Sequence, residues 1–363
     1  MTGALRILSS CNTWQGATDY GFLRAFRRAG HSVLNLSESE FFPGGWRLAA
    51  LRLLRRMARP LLLRDYQRAL VEAAETFRPH LFFVYKGTFV APETIDAIRR
   101  LGAVAINIYP DVSFTMHGAL IPRSLPRYDW IFTTKSYGVA DLTREIGVSH
   151  ASFLPHCYDP ETHFPAALDA EEASEHACDA VFIGSWSPKK EELLRRARER
   201  MPRLGLRIWG NGWEGATELA DAATRRPVLG REYAKAITGA KINIALLTGA
   251  MGEASSGDVT TTRTFEIPAV GGFMLHERTA EAQSLFAEGR ECAMFGDGVE
   301  LAEKIAFYLD HPQERLAIAR AGHARCLADG HSADDRAASV IAKARELMAA
   351  RGARAGTVAG AMA

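Results

Sequence analysis

The chain has 363 residues, of which 47% are hydrophobic, and its 44 Lys and Arg residues nearly balance its 42 Asp and Glu residues to give a net charge of +2. This length is large for a single core and predicts two domains of ordinary size. The balanced charge argues against a surface that grips nucleic acid, and the five scattered cysteines, which include no C-x-x-C pair, predict neither a zinc site nor a disulfide framework.

The N-terminal half alternates short apolar runs with amphipathic stretches. The predicted strands are LRILSS, SVLNL, LFFVY, VAINIY and WIFTT, and the predicted helices cover residues 19–29, 46–77, 92–101 and 137–146. Alternation of this kind is typical of a parallel sheet with crossover helices.

The same alternation returns after a stretch near residues 155–175 that contains Pro and acidic residues. Its predicted strands are AVFIG, LRIWG, INIALL, GFMLHE and ECAMF. An amphipathic helix is predicted over 333–349, and the last dozen residues have the composition of a frayed end. The sequence therefore predicts two similar α/β halves, and ligands of such sheets lie beyond the carboxyl ends of the strands.

The loop after AVFIG has the pattern of a capped helix start. Ser187 is a suitable cap, Pro188 suits the first helical position, and Lys189 and Lys190 complete the turn. Cations at this position oppose the helix dipole, so their presence favours an anion bound among them, and the free N–H groups of a helix start also bind phosphate. The alternative is an exposed pair of lysines that residues 191–192, both Glu, balance.

A second short helix is predicted within residues 260–278, TTTRTFEIPAVGGFMLHER. Thr261 or Thr262 can cap it, Pro268 is tolerated in its opening turn, and Gly271 and Gly272 end it.

Arg263 and Glu266 lie three positions apart in this second helix and therefore share one of its faces. Together they predict a nucleotide-sugar site, because a guanidinium suits phosphate and a carboxylate accepts from two neighbouring hydroxyls at once. The alternative is a surface ion pair between the two side chains, which would contribute little to stability.

This segment resembles the glycosyltransferases related to the spore maturation protein CgeB. The resemblance covers RTFEIPAVGGFMLHER and LFAEGRECAMFGDGVELAEKIAFYLDHPQERLAIARAGHARCL, and more loosely LPHCYDPETHFP and VFIGSWSPKKEELL. It implies an α/β protein of the GT-B fold, with two facing Rossmann-like domains. The implied acceptor domain covers residues 1–156, joined by a C-terminal helix at about 332–350 that crosses back to it, and the implied donor domain covers 157–331.

The resemblance also implies roles for individual residues of the donor domain. A lysine of the pair Lys189 and Lys190 would bind the donor phosphates, and Glu266 would bind hydroxyls of the ribose or sugar. Asp258 stands seven intervening residues before Glu266, which is similar to the acid-seven-acid spacing of many retaining GT-B enzymes, although a turn-forming aspartate explains it equally. The remaining donor-side candidates are Gly184, Ser185, Trp186, Trp209, Asn211, Thr262 and Arg263.

In the N-terminal half, the loop after VAINIY holds two candidates for the base that activates an acceptor hydroxyl. These are Asp111 and His117, since a carboxylate or an imidazole can take the proton if it lies within hydrogen-bond reach. The alternatives are a turn residue after Pro110 and an ordinary loop histidine. The loop after the first strand is expected to line the acceptor side, with Asn12, Gln15, Gly16 and Asp19.

Residues 46–68 carry seven arginines and one aspartate among leucines at helical spacing. Basic amphipathic helices can lie on anionic membranes, and a crossover helix with a solvated basic face is the alternative. The sequence shows neither a signal peptide nor an apolar run long enough to span a membrane, so we expect a cytoplasmic protein. The membrane alternative for 46–68 would make it peripheral to the inner face of the membrane.

We therefore predict an enzyme that moves a sugar from a nucleotide-diphosphate sugar to a hydroxyl acceptor such as a glycan, without a cofactor. No Asp-x-Asp pair is present, and Lys189, Lys190 and Arg263 are expected to replace a metal at the leaving diphosphate. The Asp258–Glu266 spacing favours retention at the anomeric carbon, whereas a base at Asp111 would suit inversion. The alternatives are a nucleotide-sugar epimerase and a non-catalytic nucleotide-sugar-binding protein.

Overall fold

Strands and helices alternate through the computed structural model, which describes residues 3–42 and 49–361. The strands are β1 (Arg6–Ser10), β2 (Ser32–Asn35), β3 (Leu81–Tyr85), β4 (Val104–Tyr109), β5 (Trp130–Thr133), β6 (Ala151–Phe153), β7 (Cys178–Ile183), β8 (Leu206–Trp209), β9 (Ala240–Ala245), β10 (Met274–Glu277) and β11 (Ala293–Phe295). The helices are α1 (Thr18–Arg28), α2 (Glu38–Phe41), α3 (Ala49–Phe77), α4 (Pro92–Arg100), α5 (Leu120–Ser124), α6 (Gly138–Asp141), α7 (Ala170–His176), α8 (Pro188–Arg200), α9 (Arg231–Gly239), α10 (Arg263–Val270), α11 (Ala280–Leu285), α12 (Gly298–Asp310), α13 (Pro312–Ala328) and α14 (Ala333–Ala361).

The chain divides into two compact units, which we call the first and the second unit. The first unit contains Met1–Pro155, Met251–Ser255 and Asp334–Ala363, and the second contains His156–Ala250 and Ser256–Ala333. The short segment 251–255 lies with the first unit, although in the sequence it falls within the predicted donor domain.

The first unit contains a parallel sheet of six strands in the order β2-β1-β3-β4-β5-β6. Its central strand β4 is buried along its whole length, as expected for a strand that helices cover on both faces. Aromatic packing joins helix to sheet, because the rings of Phe26 in α1 and Phe83 in β3 meet edge to face with their centroids 5.0 Å apart.

Helix α14 completes the first unit. Asp334 near its start pairs with Arg28 of α1 at 2.8 Å, and Arg351 pairs with Asp129 before β5 at 2.6 Å. The helix runs to Ala361, so the prediction of a frayed end after about residue 350 is wrong.

The second unit contains a parallel sheet of five strands in the order β11-β10-β9-β7-β8. The rings of Phe182 in β7 and Trp213 after β8 are fully buried on one face of this sheet, with their centroids 5.9 Å apart. The predicted α/β architecture with parallel sheets is thus confirmed, and β6 is a strand that the apolar pattern did not reveal.

The strand orders fix where each unit can bind a ligand. In the first sheet the chain moves outward from β1 to β2 and then returns to continue at β3, and in the second sheet it moves from β7 to β8 and returns to β9. The carboxyl ends of the strands that flank such a reversal form a crevice that commonly binds ligands. The loops after β1 and β3, and those after β7 and β9, therefore occupy these places.

Within the described parts of the chain, 3–42 and 49–361, no helix is both long enough and apolar enough to cross a membrane.

Candidate functional site

The loop after β7 begins the candidate site in the second unit. Ser187 caps α8 through a side-chain oxygen that accepts from the Lys190 N–H at 3.5 Å, and Pro188 is the first helical residue, as predicted. Backbone bonds from Gly184 to Trp209 at 2.8 Å and from Trp186 to Asn211 at 2.9 Å tie this loop to the end of β8.

Gly210 allows this close approach. A Cβ atom at Gly210 would lie 2.1 Å from the carbonyl oxygen of Gly184, and the φ of Gly210 is 148°. Only a residue without a side chain permits backbones to meet at this distance. The glycines after β8 therefore bring two loops together at the carboxyl edge of the sheet.

The other predicted residues of these two loops differ in exposure. Ser185 and Asn211 are exposed, and Trp186 is 39% exposed, with its indole N–H donated to Glu191. Trp209, by contrast, is only 4% exposed, and the guanidinium of Arg226 lies 4.9 Å from its ring centroid. This side chain belongs to the core and presents almost no surface against which a nucleotide base could lie.

The two lysines at the start of α8 have different environments. Lys189 is exposed and forms an ion pair with Glu277 at the end of β10. Lys190 is only 6% exposed, and its ammonium donates to the carbonyl oxygen of Ser185 at 3.2 Å. Glu191 and Glu192 do not balance them, because they bind Trp186 and the pair Arg195 and Arg196 respectively.

Lys190 lies beside a second cation. Its ammonium is 6.0 Å from the Phe182 ring centroid, and the guanidinium carbon of Arg263 is 5.7 Å from the same centroid. Burial, followed by the positive charge of Arg263, lowers the pKa of Lys190 to about 8.

Arg263 begins α10 and extends its guanidinium toward the loop after β7. A Cβ atom at Gly184 would lie 3.3 Å from Arg263 Nη1, so the guanidinium is close to that backbone. Its Nε is buried and has no hydrogen-bond partner, and none of the residues that the structure describes forms an ion pair with it. The predicted surface ion pair with Glu266 is therefore not formed.

Two carboxylates also act on Lys190. These are Asp258 and Glu277, and both raise its pKa, against the lowering by Arg263 and Lys189. Asp258 accepts from the Thr248 N–H at 3.2 Å and donates its own N–H to the Thr248 carbonyl at 2.8 Å, which closes the loop after β9. The largest charge effects on Lys190 thus come from two cations and two carboxylates, and the effect of Arg263 is the strongest of the four.

Of the two predicted caps of helix α10, Thr261 forms the hydrogen bond to the helix start. Thr262 occupies the cap position with a helical backbone and no side-chain hydrogen bond, whereas the hydroxyl of Thr261 accepts from the Arg263 N–H at 3.2 Å. Pro268 is the sixth residue of this helix and not part of its opening turn, so that prediction is wrong. Gly271 ends the helix with a φ of 83°, as expected.

Glu266 lies on the buried face of α10. Glu266 is only 7% exposed, and its Oε2 accepts from the hydroxyl of Tyr233 in α9 at 2.6 Å. His163 Nε2 is 3.7 Å from the other oxygen, and His163 Nδ1 accepts from the Asp159 N–H at 2.9 Å, which places the imidazole proton on Nε2. Sequence reasoning missed both Tyr233 and His163.

A second cluster lies at the carboxyl edge of the sheet in the first unit. Asp111 and His117 come together as predicted candidates, with His117 Nε2 at 3.5 Å from Asp111 Oδ2. The same carboxylate oxygen is 2.7 Å from the ammonium of Lys86, which follows β3. Sequence reasoning missed Lys86, although the dipeptide Lys86-Gly87 directly after an apolar strand was an available signal.

The predicted acceptor-side loop after β1 is held together by its own residues. Asp19 is buried and accepts from the backbone N–H of Asn12 at 2.6 Å and from its side-chain amide at 3.1 Å. Burial raises the pKa of Asp19 to about 6. Gly16 has a φ of 89°, which a turn requires, and Gln15 is exposed.

Across residues 3–42 and 49–361, no group of three or more His, Cys, Asp or Glu side chains is arranged to hold a metal ion. The prediction that the reaction proceeds without a metal remains a prediction, as does the absence of a cofactor.

Comparison with known proteins identifies a domain and a fold. Residues 189–342 match the family described as "Glycosyl transferase-like". A search of curated proteins found no match to the sequence.

Solved structures match along nearly the whole chain at low sequence identity. Sucrose-phosphate synthase from Thermosynechococcus elongatus is 15% identical with a TM-score of 0.67, and the match covers 96% of this chain and 100% of that one. A glycosyltransferase from Rickettsia africae is 12% identical with a TM-score of 0.65, covering 95% and 99%. The Anabaena protein HepE, solved in complex with UDP-glucose, is 11% identical with a TM-score of 0.63, covering 93% and 100%.

These matches confirm the predicted fold. They show similarity to glycosyl transferase-like proteins in general, whereas the prediction named one group of them. They do not confirm the CgeB-like subfamily. The protein has the GT-B fold, and its residues 189–342 are similar to the glycosyl transferase-like family.

Proposed function

We propose that the protein is a glycosyltransferase that moves a sugar from a nucleoside-diphosphate sugar to a hydroxyl group of an acceptor. The observation that carries this proposal is the positive charge near the start of α8, where the buried Nε of Arg263 has no hydrogen-bond partner and the Arg263 guanidinium contacts the same Phe182 ring as the buried Lys190 ammonium. Two neighbouring cations that repel each other are stabilised by an anion placed between them. A diphosphate meets that need.

The helix start contributes to the same site. The first N–H groups of α8 have no partners within the helix and carry the positive end of its dipole. A diphosphate at this place would accept from these N–H groups and from the two side chains. Arg263 suits it particularly, because a guanidinium presents a planar fork of donors to phosphate oxygens.

The same groups serve the chemistry as well as binding. During transfer, the bond between the anomeric carbon and the diphosphate oxygen breaks, and the oxygen leaves with the electron pair. Cations held in advance at this oxygen stabilise the charge that develops there, and removal of one such donor from an enzyme typically costs about 100-fold or more in rate. Lys190 and Arg263 would have this role in place of a metal ion.

Glu266 is our candidate for binding hydroxyls of the ribose or the sugar. Tyr233 and His163 fix the orientation of its carboxylate. We assign donor binding to the second unit and acceptor binding to the first, where the Asp111–His117 pair would take the proton of the acceptor hydroxyl as that oxygen bonds to the anomeric carbon. The Asp258–Glu266 spacing favours retention of configuration, whereas a base at Asp111 favours inversion, and the stereochemistry of the product decides between them.

The solved structures with this fold support the proposed class of donor. HepE was solved with UDP-glucose, and sucrose-phosphate synthase and the Rickettsia protein carry the names of sugar-transferring enzymes. The motif at 260–278 leads us to propose also that the protein belongs to the CgeB-related group.

Contact with an anionic membrane through residues 46–68 is a further part of the proposal. Residues 46–48 lie outside the described residues. In the described part, Met57 is 70% and Leu61 is 55% exposed, and the side chains of Arg64 and Arg68 are 73% and 66% exposed. These positions recur at intervals of three and four, so they form one stripe along α3 that combines apolar and basic groups.

The experiment begins with binding. We expect a panel of UDP-, GDP-, ADP- and dTDP-glucose to reveal at least one nucleotide that raises the melting temperature, with affinity lost in Arg263→Gln and kept in Lys241→Gln, a control at an exposed lysine of the same unit. A panel that leaves the melting temperature unchanged, or equal binding by both variants, would refute the proposed site.

Turnover then separates the alternatives. Transfer predicts a glycosylated product that requires an acceptor, an epimerase predicts conversion of the donor alone, and a binding protein predicts neither. NMR of the product at the anomeric centre distinguishes retention from inversion.

A further inference from the structure

The backbone of Lys86 has a conformation that side chains disfavour. Its φ is 61°, in the left-handed region, and among the described residues other than glycine only Arg78 and Arg225 share a positive φ. The main chain is held there, because the Lys86 N–H donates to the Ile108 carbonyl at 2.8 Å and the Asn107 amide donates to the Lys86 carbonyl at 3.3 Å. An L-residue in this region carries strain that glycine would avoid.

The side chain of Lys86 is directed at one carboxylate oxygen. Its ammonium is 2.7 Å from Asp111 Oδ2, and that oxygen is also 3.5 Å from His117 Nε2. The three side chains are between 30% and 33% exposed, so a ligand in solution can reach the cluster, although the shared oxygen Asp111 Oδ2 is itself buried.

Stability does not explain why a lysine stands here. An ion pair of this exposure contributes little to folding, whereas the left-handed backbone disfavours any side chain. Strained residues of this kind concentrate at functional sites, where the surrounding structure holds them in place. Lys86 also follows β3 at the point where the order of the first sheet reverses, which is where such sheets bind ligands.

We infer that Lys86 is a positioning residue that holds the Asp111 carboxylate against His117 in the acceptor site. The inference rests on the proposed function and extends it to a residue outside the donor site. In the transfer step the acceptor hydroxyl loses its proton to the Asp111–His117 pair, its oxygen bonds to the anomeric carbon, and the diphosphate leaves with the electrons of the broken bond. Lys86 keeps its own proton throughout and acts only through Asp111.

The test uses Lys86→Gly, which removes the ammonium and relieves the backbone strain in one change. Arg78→Gly is the matched control, because Arg78 has a φ of 50° in the same unit and lies at the exposed end of α3. We expect both variants to melt at least as high as the wild type, since glycine suits both positions. The assay uses the nucleoside-diphosphate glucose that binds best as the donor and free monosaccharides as acceptors. We expect kcat to fall about ten-fold or more in Lys86→Gly but not in Arg78→Gly, with the KM for the donor unchanged.

A double-mutant cycle shows whether Lys86 acts through Asp111. We expect Lys86→Gly to cause no further loss of kcat in an Asp111→Asn background, because the interaction is already broken there. An unchanged kcat in Lys86→Gly, additive losses in the double variant, or a lowered melting temperature would overturn the inference while the proposed function stands. A wild-type protein that transfers sugar from none of the donors would overturn both.

Discussion

Replacing Lys190 by Met tests the phosphate site in two independent ways. Methionine retains most of the apolar stem of lysine but has no charge and no N–H donor. The variant should therefore lose affinity for a nucleoside diphosphate and gain stability, because the charge that would bind the ligand is buried at a cost in the empty protein.

The stability change follows from the pKa of Lys190. Its lowering from 10.5 to about 8 corresponds to roughly 3 kcal/mol of unfavourable free energy in the charged form. Loss of the hydrogen bond to the Ser185 carbonyl offsets roughly 1 kcal/mol of that gain. We expect the variant to be more stable by roughly 1–2 kcal/mol at pH 7, which raises the melting temperature by a few degrees.

The pH dependence gives the sign of this effect. Since the folded pKa is below the unfolded value, the native state holds fewer protons than the unfolded state between about pH 8 and 10.5. The stability contribution of Lys190 therefore rises with pH across this window, and the variant should lack that rise. Urea unfolding of both proteins at pH 7, 9 and 10.5 measures the difference.

Binding should change with pH in the opposite direction. Below pH 8 the ammonium is already charged, whereas at pH 9 about one molecule in ten is, so the affinity of the wild type for UDP should fall about ten-fold between pH 7 and 9. In Lys190→Met the Kd at pH 7 should be raised about ten-fold or more and should vary little over this range, because a charge-assisted hydrogen bond is lost.

Isothermal titration calorimetry measures the Kd at pH 7 and its change between pH 7 and 9. The ligand is UDP, or GDP, ADP or dTDP if one of those binds better. Lys241→Met is the control, since Lys241 is exposed and pairs with Asp179 away from the loop after β7. Wild-type affinity in Lys190→Met would refute the site, and a variant less stable than the wild type at pH 7 would refute the claim that the buried charge is unfavourable.

Three further predictions concern other parts of the molecule. Tyr233→Phe should weaken binding of a nucleoside-diphosphate sugar about five-fold, since it frees one oxygen of Glu266; in calorimetry, an equal loss for the nucleoside diphosphate would place Glu266 at the ribose, and unchanged binding of both would contradict its role. Gly210→Ala should lower the melting temperature, because its Cβ would meet a backbone oxygen, whereas Gly215→Ala, with open space around it, should not. Leu61→Glu should reduce sedimentation with phosphatidylserine vesicles, and a wild type that does not bind such vesicles would refute the membrane contact.

The sequence predicted the sheets because the interior strands are short and rich in apolar residues. Such runs identify strands buried on both faces, and they identified β4 and β7 without any structural information. The strand β6 escaped because Ala151–Phe153 is three residues long, lies at the edge of its sheet and is only partly buried. Helix ends marked by Ser187 and Gly271 were also predictable, since capping depends on local sequence.

The geometry of the site was less predictable, because it depends on residues far apart in the chain. Adjacent helical residues point about 100° apart, so the sequence could not show whether Lys189 or Lys190 faces the sheet. Glu266 was expected to face a ligand, but its partners Tyr233 and His163 precede it by 33 and 103 positions, and no local pattern connects them. The role of Asp258 in closing the loop after β9 likewise depends on a contact with Thr248.

The three cations near the start of α8 differ in whether the protein itself supplies an anion for them. For Lys189 the protein supplies the anion itself in Glu277, so this lysine gives no reason to expect a ligand. For Arg263 no described residue supplies one, and Lys190 has only a neutral carbonyl as its hydrogen-bond partner. An anion that satisfied both must carry more than one acceptor oxygen and fit beside the N–H groups that open α8. A diphosphate has these properties, and a single carboxylate offers too few oxygens to serve two cations and a helix start together.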